Sequence, residues 1–123
     1  MLWESANGVT AQWTAMGDGC IDLHAYFDRF EKLCPGVPVH IETISGFARE
    51  FAIYKPDIWK MFPNMRAEDL ARWIALAKKG RAIEPFKAPA GGDKDKAQQD
   101  YQREQIERSI RYCKETLGLG LKV

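Results

Sequence analysis

Residues 36–46 read GVPVHIETISG, and how this stretch folds decides the architecture of the chain. Side chains alternate across a strand, so over roughly 37–44 Val37, Val39 and Ile41 share one face while Pro38, His40, Glu42 and Ile44 share the other. The first face asks for apolar cover. The second presents a histidine and a glutamate two positions apart, and Glu42 reads either as a solvent-facing strand residue or as a carboxylate placed for chemistry.

Upstream, Asp22 suits a helix N-cap, and Leu23, Tyr26, Phe27, Phe30, Leu33 and Cys34 recur at three- and four-residue intervals, giving one apolar stripe on a helix. Pro35 and Gly36 stop that helix. A helix, a tight turn and a strand of this type predict an αβ unit, whose neighbouring strands are expected to be parallel. Residues 1–21 carry Gly8, Gly17 and Gly19 without a clean period and read as loop, with a short extended piece around VTAQW.

Downstream, FAREFAIYKPDIWKMFPNM reads as a long aromatic connection interrupted by Pro56 and Pro63. A second helix is predicted over about 66–79, with Leu70, Trp73, Ile74 and Ala77 on one face and Lys78, Lys79 and Gly80 at its end. Residues 81–93 read as an extended linker. The last helix, about 94–117, is expected to turn Tyr101, Ile106, Ile110, Cys113 and Leu117 towards a partner, with Glu104–Arg108 and Glu107–Arg111 pairs on its wetter side and Gly118 at its end.

Only one strand is evident in this reading, and one strand cannot satisfy its own backbone groups. Further strands are therefore expected, within the chain or from another chain. The 123 residues, 46% hydrophobic and 28% charged, fit one globular domain. Eighteen basic against seventeen acidic residues create no field that would draw the chain to nucleic acid. No run approaches the roughly 20 apolar residues of a membrane span. Cys20, Cys34 and Cys113 form no C-x-x-C pair, and MLWESANG lacks a signal-peptide pattern, so a reduced, cytoplasmic setting is expected.

The order of motifs is more specific than any one of them. A tryptophan, then QW-x2-MGDG-x-ID, a helix, CPGVPVHIETISGF and the KPDIWK loop together resemble the C-terminal part of sugar phosphate isomerases/epimerases in the xylose isomerase-like TIM-barrel superfamily. The resemblance runs from about Leu2 to the end but spans well under half of such a barrel. It implies a partial α/β domain over 1–123, a C-terminal fragment of a (β/α)8 TIM barrel, helix-rich with few strands and completed by oligomerisation, most simply a homo-oligomer. It also implies a divalent metal ion (Mn, Mg, Zn or Co), with Glu42 in the V-x-I-E-T context as metal ligand and as a catalytic group for proton transfer beside a carbonyl of a sugar or sugar phosphate. The family's other ligands are expected on earlier strands, the nearest ending just before Met1, so the chain alone is expected to be inactive. A non-catalytic interaction or oligomerisation protein built from such a fragment is the competing expectation.

Further candidates stand beside their plainer readings. His40 shares the Glu42 face, yet a neutral hydrogen-bonded histidine is the commoner case. Trp13, Phe47, Phe51 and Trp59 suit the C–H faces of a sugar or simply cap a core. Arg49, Lys55 and Arg66 could meet a substrate phosphate or remain solvated, and no P-loop spacing supports the former. Gly17-Asp18-Gly19 is too short for a dinucleotide fingerprint and reads as a turn. Cys34 and Cys113 lie on apolar helix faces as inert thiols, His24 reads as surface, and Ser45 lacks a His/Asp pattern.

Overall fold

The computed structural model describes residues 1–120. The chain is α/β: a three-stranded antiparallel sheet in the order β1 (Leu2–Ser5), β2 (Gly8–Gln12), β3 (Ala48–Phe51), with α1 (Leu23–Leu33), α2 (Ala67–Lys79), α3 (Lys94–Glu115) and a 3-10 helix over Pro56–Met61. It divides into two compact units, one of Met1–Trp13 with Gly46–Phe86, the other of Thr14–Ser45 with the chain from Lys87 onward.

The first unit corrects the reading of residues 1–21. These open with a hairpin rather than a loop: the extended piece expected around VTAQW is β2, and β1 pairs with it from Leu2↔Ala11 to Ser5↔Gly8, leaving Ala6 and Asn7 as a two-residue turn. FAREF, read as part of a connection, supplies β3, which pairs antiparallel with β2 from Val9↔Phe51 to Gln12↔Ala48. The sheet is therefore not built from parallel neighbours of an αβ unit.

Val9, Ile53 and Ala77 form the buried centre of this unit, surrounded by Leu2, Phe51, Ile58, Trp59, Leu70, Trp73 and Ile74. The face expected of α2 is the face it buries, because its apolar residues recur with the helical period. Phe51 and Trp73 meet edge to face, centroids 5.3 Å apart. Gly80 follows α2 with φ −85, so it is not needed for a left-handed cap. It is needed for space: a Cβ there would lie 1.6 Å from the Leu2 carbonyl oxygen.

In the second unit Asp22 caps α1 as expected, accepting from the Ala25 N–H at 3.0 Å. Asp93 caps α3, accepting from the Asp95 and Lys96 N–H groups at 3.0 Å each. The buried side of α3 includes Cys113, as expected, but otherwise differs from expectation. Gln105, Ser109 and Cys113 are buried, whereas Ile110 is 41% exposed. Two of these are polar because they serve the 14–18 loop: Gln105 Oε1 accepts from Ala15 N–H at 3.3 Å and Ser109 Oγ from Met16 N–H at 3.1 Å. Arg108, expected to pair with Glu104, instead bonds Asp18.

The largest departure lies in residues 37–44. The strand expected there is absent; the segment carries no helix, strand or turn. A strand is held by bonds to a neighbouring strand, and among the described residues no backbone hydrogen bond engages 38–44. No helix or strand lies between Lys79 and Lys94. Among the described residues, no helix is long and apolar enough to cross a membrane.

Candidate functional site

The 36–46 segment is fastened at its two ends. Val37 N–H bonds the Cys34 carbonyl at 3.3 Å. Ser45 is buried, and its carbonyl accepts from Gln102 Nε2 at 2.8 Å. Between these anchors, no backbone hydrogen bond engages residues 38–44 among the described residues. Val37 and Val39, on the apolar face predicted for a strand, are 54% and 51% exposed while Ile41 is half-buried, and Ile44 on the other face is 52% exposed. His40 and Glu42 are exposed on the same segment, and neither side chain has a hydrogen-bond or ion-pair partner among the described residues.

The remaining predicted residues belong to the other unit. Trp13 extends β2 by one residue: its N–H bonds the Phe47 carbonyl and its carbonyl accepts from Gly46 N–H, both at 3.0 Å. Its ring meets Phe47 at 5.3 Å in a tilted pair with both rings exposed. Arg49 lies on β3, opposite Ala11, with its guanidinium 5.3 Å from the centroid of the Phe51 ring. Trp59, in the 3-10 helix, lines an apolar cavity with Phe51, Phe62 and Trp73. Arg66 is engaged: it forks onto Asp69 at 2.8 and 3.0 Å, which raises its own pKa and lowers that of Asp69.

The turn residues and cysteines act structurally. Gly17 adopts φ +91, and a Cβ there would lie 2.5 Å from the Tyr112 ring. Burial pushes the Cys113 thiol pKa up, and its Sγ lies 3.4 Å from Met16 Sδ. Cys34, expected on a buried face, is half-buried, and α1 as a whole buries no residue. Its rings pack on one another, Tyr26 on Phe27 at 5.3 Å and Phe27 on Phe30 at 6.4 Å.

Among the described residues no three His, Cys, Asp or Glu side chains gather as a metal-binding set. Glu42 and His40 by themselves do not make the donor shell a divalent ion needs, so the described residues do not fit a self-contained metal centre. Sequence reasoning offered Phe51 and Trp59 as pocket-lining aromatics but grouped them with Trp13 and Phe47, which do not line this cavity, and it missed the polar clasp of Gln105 and Ser109. The aromatic density of residues 47–65 was the available signal for the cavity; polar residues on an otherwise apolar helix period hid the clasp. Compared with known proteins, the chain matches no family model, no curated protein and no solved structure.

Proposed function

We propose that this chain contributes Glu42 to a metal-dependent sugar or sugar-phosphate isomerase/epimerase centre whose remaining ligands lie outside the described residues. In this reading, 37–44 becomes a strand of a xylose isomerase-like barrel when neighbouring strands are supplied. One observation carries it: a segment with strand-type alternation, backbone groups without partners and an exposed carboxylate at its middle. An unpaired strand is a template for association. A single carboxylate without further ligands does not hold and activate an ion, so the chain alone is inactive.

The test is complementation. Mixed with the N-terminal strands of a sugar phosphate isomerase barrel that lacks its C-terminal part, the chain gives Mn²⁺-dependent ketose turnover, and Glu42→Gln removes it. Turnover by the purified 123-residue protein, or restored activity indifferent to Glu42→Gln, contradicts the proposal.

A second reading, a non-catalytic oligomerisation protein, is favoured by the exposed outer edge of β3 at the end of the sheet. It requires a defined oligomer in light scattering whose mass and stability do not respond to Mn²⁺ or to Glu42→Gln.

A further inference from the structure

We propose that the 38–44 segment of one copy of the chain adds to the sheet of a second copy, as a further strand beside β3. The proposal rests on the oligomerisation reading and gives that reading its partner surface. Two half-built features of the same chain motivate it. β3 ends the sheet, and the Phe47 carbonyl accepts from Trp13 N–H across the ladder, so Arg49 and Phe51 also turn their backbone groups to β2. Ala48 and Glu50 then turn theirs outward, where no backbone hydrogen bond meets them among the described residues. The 38–44 run alternates as a strand does and has no backbone hydrogen bond either. Each feature lacks what the other offers.

Side chains choose the register. Phe51 shares the core face of the sheet with Val9, and Arg49 lies on that face as well; Ala48 and Glu50 lie on the other. Antiparallel pairing of His40 with Glu50 sets Val39 beside Phe51 and Ile41 beside the Arg49 stem on the core face. On the opposite face it sets the His40 imidazole against the Glu50 carboxylate and Glu42 beside Ala48. A slip of one residue turns Val39 and Ile41 to the Glu50 face. A slip of two in one direction sets Glu42 opposite Glu50, like charge on like. In the other direction it sets Pro38, which has no N–H, where the outward Glu50 carbonyl needs a donor. A second β3 is the poorer partner for β3: the two longest overlaps of two-fold related β3 edges set Arg49 opposite Arg49 or Glu50 opposite Glu50. Reciprocal exchange of the 38–44 segments closes a dimer.

Light scattering and amide exchange over a concentration series of the full chain test the exchange. The mass rises from one copy to two. At monomeric dilution the 39–44 amides exchange freely; in the dimer the His40, Glu42, Ala48 and Glu50 amides gain protection together, while those of Val39, Ile41 and Thr43 stay open. His40 is exposed and its side chain has no partner among the described residues, so His40→Glu leaves the fold intact. It weakens dimerisation at least about 10-fold, because like charges then meet in both pairings, and Glu50→Lys added to it restores the dimer. A dimer indifferent to His40→Glu, or one that protects Val39 and Ile41 instead, overturns the exchange and leaves the oligomerisation reading standing. A chain that stays monomeric at every concentration overturns both.

Discussion

At Gly8 the chain passes so close to β3 that a Cβ would lie 2.3 Å from the Phe51 carbonyl oxygen and 2.7 Å from the Ile53 nitrogen. Both neighbours are backbone and cannot yield as a flexible side chain would. Gly8→Ala is thus expected to destabilise the chain by about 2 kcal/mol or more in urea unfolding. Glu50, on β3, offers a pH readout beside the β1–β2 turn. The Ser5 hydroxyl beside it, then the Asn7 amide bonding its carboxylate at 3.0 Å, hold its pKa below the ordinary 4.5. A depressed carboxylate pKa adds stability that is complete above the unfolded value and is lost as pH falls through the folded one. Melting temperature should therefore fall faster below pH 4.5 in the native chain than in Glu50→Gln; parallel curves would remove Glu50 from that role. Residue-scale reading of the sequence identified Asp22 as a cap, but it had no means of seeing the Gly8 approach, which depends on a strand 40 residues later.

Helices were legible element by element because their signals are local. The stripe Leu70, Trp73, Ile74, Ala77 recurs with the helical period, and all four sit in the core. Strands were not legible in the same way. β1 and β3 have four residues each, too few for alternation to declare itself, whereas 37–44 alternates well and forms no ladder. A strand is a property of a pair, and the sequence of one member is half of the evidence. In α3 the misleading feature was polarity on the buried face, and it has a measurable energetic role. Ser109 accepts from Met16 N–H and itself donates to the Gln105 carbonyl at 2.8 Å. Ser109→Ala leaves the Met16 N–H without that acceptor and is expected to cost about 1–3 kcal/mol in denaturant unfolding. A value near zero would mean that water replaces the hydroxyl and that the clasp does not hold the 14–18 loop.

Across the whole molecule, apolar surface is distributed unevenly. Among the described residues thirteen large hydrophobic side chains are exposed, against five buried apolar residues. Eight of the thirteen, from Trp13 and Ile21 through Leu33 to Ile44 and Phe47, fall between residues 13 and 47. That stretch contains α1, which buries nothing, and the segment carrying Glu42. Under the proposed function, the exposed side chains of the 37–44 segment are the ones that a partner would cover. The proposed centre gives the cover a definite form, strands pairing with 38–44, and amide exchange reads that pairing directly. In the chain alone the Val39, His40, Ile41, Glu42, Thr43 and Ile44 amides have no backbone acceptor and should exchange near the unprotected rate, while α3 amides are slowed. When complementing barrel strands are added, alternate amides of this run gain protection, because successive N–H groups of a strand point to opposite neighbours and an edge pairing engages every second one. Protection of all six at once would mean strands on both sides, the arrangement a closed barrel requires. Protection already present in the isolated chain at a monomeric mass would instead show that 38–44 is satisfied from within, and the reading of Glu42 as one ligand of a shared site would fall with it.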